Sequence, residues 1–275
     1  MLGKLIKHEF KETYKLFGIL YGAFILLTLI SRFSLILPFD NIISEVIGVF
    51  LNIVYFISIF GLSLAVTIIV MIRFYHKMMK DEAYLTHTIP VKTWEHIVAK
   101  ITTYSVWMIL SVIMMIASLA LYFVGTEEFG DIMEIIEKAV GVVGDYPVLI
   151  SSIVIGIVLC ILQAFANLLM YSAALSLGQM FRKHKIAGAV MFYFVLNYGL
   201  SMVSSTLMYL MPGYLDKVEA FEVNVAKADS VKEVVSMVCG TANFIMLYTM
   251  IVLFIMIGVC FFITNHMLSK KLELE

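Results

Sequence analysis

The sequence predicts an all-α integral membrane protein with six transmembrane helices. Hydrophobic residues fill 62% of the 275 positions, and the mean hydropathy is +0.99. Charged residues make up only 14%, against roughly 25% in soluble chains. Apolar runs at 16–37, 46–72, 101–124, 148–180, 188–211 and 241–265 each reach the ~20 residues that a helix needs to cross the hydrocarbon core. None alternates every second residue as a barrel strand would, and only helices and closed barrels satisfy the backbone in lipid.

Taken in order, residues 2–15 read as an amphipathic helix. Leu2, Leu5, Ile6, Phe10 and Tyr14 recur at helical spacing, with Lys4, Lys7, Glu9, Lys11, Glu12 and Lys15 on the other face. A basic helix of this kind lies in the plane of the membrane interface, so it is expected as an element separate from the first span. It does not read as the charged start of a signal peptide, because the apolar run behind it is too long and five more spans follow. On the first span, Gly18 and Gly22 make a GxxxG pair, which permits close approach of another helix.

Between the third and fourth spans, Phe129, Ile132, Met133, Ile136 and Val140 form one apolar stripe, with Glu127, Glu128, Asp131, Glu134 and Glu137 as its polar counterpart. Gly141, Gly144 and Pro147 close the 125–147 segment. An acidic amphipathic helix on the outer surface is expected there, packed on the spans as a lid. The fourth run meets no charge until Arg182, more than a bilayer needs at about 1.5 Å per residue. It is expected to tilt, bend or project. Gln163 and Asn167 share one face of it; they either line a polar path or bond a neighbouring helix, the commoner role of buried amides. Ala174 and Gly178 supply a small-xxx-small pair. Pro212-Gly213 ends the fifth span, within an outward segment at 212–240. In that segment Ser230 and Glu233 have capping-box spacing for a helix leading into the sixth span.

Orientation follows from Lys and Arg. The N-terminus, the second-to-third connection, the fourth-to-fifth connection and the C-terminal tail at 266–275 hold fourteen of the 19 cations. That side is the cytoplasmic one, and an even number of spans places both termini there. The net charge of −1 gives no reason to expect a nucleic-acid partner. Three cysteines, Cys160, Cys239 and Cys260, make no disulfide framework. No two of the six histidines show metal-ligand spacing.

The most polar stretch is the connection at 73–100. Asp81 can cap a short helix through Ala83, Tyr84 and Leu85. Pro90 forces Ile89 to be extended and ends that helix, and Thr93 can cap the next one. Tyr84, Leu85 and Ile89 would then be available to a partner. On the residues alone, a solvated loop that orients the protein by charge is the plainer reading.

The spans offer no chemistry of their own. Residues 46–72, 101–126, 148–181, 186–215 and 240–265 contain no Asp, Glu, Lys, Arg or His; Arg32 and Asp40 lie near the outer edge of the first span, within reach of headgroups. Ion-coupled carriers use intramembrane ionisable groups or broken helices, and intramembrane hydrolases need paired catalytic groups. The chain has no phosphate loop. No catalytic residue, metal or cofactor is therefore expected in it.

Three stretches resemble a known family. They are the start Leu2-Gly3-Lys4-Leu5-Ile6-Lys7-His8-Glu9-Phe10-Lys11, the run from Lys80-Asp81-Glu82-Ala83-Tyr84-Leu85 through Thr88-Ile89-Pro90-Val91, and Ser176-Leu177-Gly178-Gln179 with Lys183-His184-Lys185. Together they make the whole chain similar to the permease subunits of bacterial ATP-binding cassette exporters of the type-two (ABC-2-type) family. Ala83 stands where that family often has Gly. The resemblance implies that residues 2–15 are an elbow helix and that about 78–90 form a coupling helix. Lys80, Asp81, Glu82, Tyr84, Leu85, Ile89 and Pro90 would then engage a cytoplasmic ATPase subunit. ATP and Mg would be bound by that partner, not by this chain. A second permease copy or a paralogue would complete the pathway in the cytoplasmic membrane, with Gly18 and Gly22 at the seam and Gln163 and Asn167 lining the path. Peptides, lipids and amphipathic drugs all fit an apolar path. The residues alone leave open a non-transporting sensor or scaffold that docks a cytoplasmic partner through 73–100.

Overall fold

The computed structural model describes residues 2–36, 42–80, 91–181, 183–210 and 231–270. Among them there is no strand. The helices are α1 (Leu2–Ile36), α2 (Ile42–Met79), α3 (Thr93–Phe123), α4 (Glu127–Asp145), α5 (Pro147–Gly178), α6 (Lys185–Leu210) and α7 (Val231–Lys270). All but α4 are long and apolar enough to cross a membrane. Their outward faces carry large apolar side chains that water would not tolerate in such number, among them Ile19, Phe60, Met202 and Phe262, each about 70% exposed. The protein is a multi-pass membrane protein.

Four helices, α1, α2, α3 and α7, extend well beyond the apolar runs from which they were predicted. The separate in-plane helix expected at 2–15 is not present, because α1 continues without a break to Ile36. No proline lies in this stretch, and a lone helical glycine such as Gly18 costs only about 1 kcal/mol. The face it buries also differs from expectation. Glu9 and Thr13 are buried, whereas Tyr14 is half exposed. In the same way α2 runs on through Arg73–Met79 and α3 begins at Thr93, so the connection shrinks from 73–100 to about 80–92. Lys92, not Thr93, is the N-cap of α3, and it makes no side-chain capping bond. The short helix expected near 81–90, Pro212-Gly213 and the Ser230 capping position lie outside the described residues. α7 is one helix of 40 residues, not a short helix followed by a span.

The chain divides into two compact units. In the first, α1 packs on α2 and α3, and α2 on α3. The inner stripe of α1 is Glu9, Thr13, Phe17, Tyr21, Phe24, Thr28 and Ser31, all buried, at steps of three or four residues that keep one helical face. Phe17 stacks on Trp107 with ring centroids 4.7 Å apart. The indole Nε1–H of Trp107 donates to Thr13 Oγ1 at 2.9 Å, and the Tyr21 hydroxyl donates to the Trp107 carbonyl at 2.8 Å. Farther along, Tyr55 stacks on Tyr122 at 4.6 Å, and the Tyr122 hydroxyl donates to Asn52 Oδ1 at 3.1 Å. Apolar side chains can face outward because lipid solvates them as well as a protein core would; Thr13, Tyr21, Trp107 and Ser111 turn inward, where they find partners.

In the second unit α5 packs on α7 and α6 through small residues. Ala173, Ala174, Ser176 and Gly178 of α5 are buried. A Cβ on Gly178 would come within 2.6 Å of the Ala189 backbone nitrogen, so only glycine permits this approach of α5 to α6. The Ser172 and Thr264 hydroxyls lie 3.3 Å apart across α5 and α7.

Two further differences concern Arg32 and α4. Arg32, expected to reach the headgroups, donates through Nη1 to the Leu121 carbonyl, in the last turn of α3, where a cation suits the negative end of the helix dipole. Gly125 follows with φ +83 and turns the chain out of α3, a left-handed position that favours glycine. α4 is helical, as expected, but it is not a lid packed on the spans: Met133, Ile136 and Val140 of its apolar stripe are exposed.

Candidate functional site

The first unit concentrates its charge at one end, where the start of α1 meets the end of α2 and the start of α3. Glu9 is at its centre. Its position on α1 is in register with Thr13, Phe17 and Tyr21, so the packing that buries those residues buries the carboxylate as well. Lys100 occupies the matching place on α3, in line with Thr103, Tyr104, Trp107 and Ser111, all buried. Lys77 sits on the buried side of α2 beside Phe74 and Met78.

Lys100 Nζ donates to Glu9 Oε1 at 2.5 Å, and only 2% of its side chain is exposed. Lys77 Nζ stands 3.6 Å from Glu9 Oε2 and bonds Glu12 Oε2 directly. Arg73 Nη1 lies 3.9 Å from Glu12 Oε1, and His8 Nδ1 is 4.0 Å from Glu12 Oε2. Thr13 donates its hydroxyl hydrogen to the Glu9 carbonyl at 2.8 Å and accepts from Trp107, which connects the ionic cluster to the aromatic core. Two carboxylates, two ammonium groups and a guanidinium thus join three helices.

Such burial is costly. Removing an ammonium or carboxylate from water carries a penalty of several kcal/mol per ion, offset only by close opposite charge and hydrogen bonds. Here Glu9 meets two ammonium groups and Lys77 meets two carboxylates, so each buried ion has a counter-ion. The arrangement suits a fixed joint. Among the described residues, no three His, Cys, Asp or Glu side chains gather as they would around a metal.

The residues singled out from the sequence fall in three places. Lys80 is an exposed bend just past α2; Asp81, Glu82, Tyr84, Leu85, Ile89 and Pro90 lie outside the described residues. Gln163 Nε2 donates to Asn167 Oδ1 at 2.9 Å, a bond within α5 and not to a neighbouring helix. Gly18 and Gly22 are exposed, and a Cβ on either would meet nothing within 4 Å. Sequence reasoning missed the ionic joint because it placed Lys77 and Lys100 in a solvated connection and Glu9 on a solvated face. The signal was present: Glu9 lies one helical turn from the stripe Thr13, Phe17 and Tyr21, and Lys100 one turn from Thr103, Tyr104 and Trp107.

Comparison of the chain with protein-family models, curated proteins and solved structures finds no match.

Proposed function

We propose that this chain is the permease subunit of an ATP-binding cassette exporter of the type-two family, moving a peptide, lipid or amphipathic drug across the bacterial cytoplasmic membrane. ATP is hydrolysed, with Mg, by a separate ATPase subunit. The apolar runs at 46–72, 101–126, 148–181, 186–215 and 240–265 hold no Asp, Glu, Lys, Arg or His, and the charges gathered at Glu9 are paired with one another, so on this reading the energy for uphill movement enters from another chain.

One observation carries the reading. The helices on either side of the 80–92 connection are both fastened to α1 by buried ion pairs, Lys77 and Lys100 to Glu9. A push delivered to that connection moves three helices together instead of bending one. Lys80, Asp81, Glu82, Tyr84, Leu85, Ile89 and Pro90 then form the surface that meets the ATPase, with the Lys and acidic groups suited to pair with charges across it. Gly18 and Gly22, open on the outside of α1, suit the seam with a second permease copy.

The test is affinity purification of the full chain from its native membranes after mild crosslinking, with mass spectrometry and measured ATP turnover. An ATPase is expected with the native chain. Glu82→Arg and Tyr84→Ala are expected to insert normally but to lose that ATPase or its stimulated turnover. Absence of any ATPase would favour the scaffold reading, and unchanged ATPase stimulation and export in both variants would overturn the assignment of the coupling residues.

A further inference from the structure

We propose that α4 is an interfacial anchor whose apolar stripe inserts into the membrane surface, on the side reached by the end of α3 and the start of α5. The inference rests on the membrane-spanning fold and is independent of the transport reading. Three observations on α4 lead to it.

The first is the stripe itself. Phe129, Ile132, Met133, Ile136 and Val140 fall within about a third of the helix circumference at 100° per residue. Met133, Ile136 and Val140 are respectively 47%, 48% and 66% exposed. They are bare across 133–140, not at one isolated position, while Phe129 and Ile132 are half-buried.

The second is the tether. Only residues 124–126 separate α4 from α3, and only Tyr146 separates it from α5. Both of those helices are long and apolar enough to span a membrane. Three residues reach at most about 10 Å, at roughly 3.3–3.6 Å each. Each end of α4 is therefore held close to the end of a span and cannot leave the membrane surface. The nearest apolar medium for an exposed stripe in that position is the boundary between headgroups and acyl chains, where amphipathic helices bury one face by about 5–10 Å.

The third is the placement of charge. Asp131, Glu134 and Glu137 lie off the stripe, and Lys138 pairs with Glu134 at 2.7 Å on the exposed side. Those groups stay in water when the stripe goes down. The helix is acidic overall, so apolar contact and not attraction to anionic headgroups drives the insertion. It should form in zwitterionic lipid without help from surface charge.

The experiment is spin labelling of the full chain. Cys160, the exposed cysteine of the three, is replaced in a Cys160→Ala parent; Cys239 and Cys260 are buried. Ile136→Cys and Val140→Cys report the stripe, and Glu134→Cys and Lys138→Cys report the far side. Each variant carries a nitroxide and is reconstituted into phosphatidylcholine vesicles. Collision rates are then measured with oxygen, which partitions into lipid, and with a water-soluble nickel chelate. The expected result is an oxygen-to-nickel ratio several-fold higher at 136 and 140 than at 134 and 138, unchanged by added salt. Equal ratios on the two sides would overturn the proposal. So would labels at 136 and 140 shielded from both reagents, since a protein surface would then be covering the stripe.

Discussion

Lys100 Nζ lies 2.5 Å from Glu9 Oε1, so two ionised groups 91 positions apart in the chain neutralise each other out of contact with water. Breaking a buried pair by removing one member leaves the other charge uncompensated, at about 3–5 kcal/mol. Lys100→Met alone and Glu9→Leu alone are each expected to destabilise the protein by that order. The double variant is expected to recover part of the loss, leaving Lys77 with Glu12. Thermal unfolding of the four proteins in one detergent gives the double-mutant cycle; additive losses would show that the two residues are not coupled.

Thr13 accepts from the Trp107 indole while donating to the Glu9 carbonyl. Thr13→Val keeps the shape but removes the acceptor and leaves a buried N–H without its partner. A loss of about 1–3 kcal/mol is expected, read as a lower unfolding midpoint. Thr67→Val serves as the control, because the Thr67 hydroxyl bonds only its own helix at Ser63, on an exposed face. It is expected to change the midpoint by no more than about 0.5 kcal/mol.

At Gly178 a Cβ would sit 2.6 Å from the Ala189 nitrogen and 2.7 Å from the Lys185 carbonyl oxygen. Backbone atoms cannot step aside as a flexible side chain can. Gly178→Ala is expected to cost about 1–3 kcal/mol, whereas Gly156→Ala on the same helix, with nothing within 4 Å of its Cβ, should be neutral or stabilising. Equal midpoints for the two variants would contradict the close packing of α5 on α6.

Gly125 and Gly130 make a second contrasting pair. Gly125 has φ +83, and Gly125→Ala is expected to destabilise by about 1–2 kcal/mol. Gly130 lies within α4, and its Cβ would meet nothing within 4 Å. Gly130→Ala should stabilise by about 0.5–1 kcal/mol. Hydrogen exchange along α4, measured in both variants, reads the two signs directly.

The spans were legible in the sequence because length and apolarity alone decide them: all six runs lie largely within α1–α3 and α5–α7. Their ends were not legible. The apolar runs stop at charge, yet α2 carries Arg73 and Lys77 inside its last turns, and Glu9 sits within the unbroken α1. A charged residue ends a membrane run only if water is its best partner; here opposite charges on neighbouring helices are better partners, and pairing across 61 to 91 positions leaves no local trace. The amphipathic α4 was legible for the opposite reason, since one stripe and one helix suffice to show it. What the stripe lies against depends on neighbours, and the expected lid was wrong on that point. Gln163 and Asn167 are legible as a pair on one face, but spacing alone does not show that one donates to the other.

The joint at Glu9 also sets an order of events during synthesis. Glu9 leaves the ribosome before Lys77, near the end of α2, and before Lys100, near the start of α3. Until then its carboxylate has only water to solvate it, so the start of α1 must remain outside the lipid. The first helix therefore settles last among the three, and an arrest of translation before Lys100 would strand it half inserted.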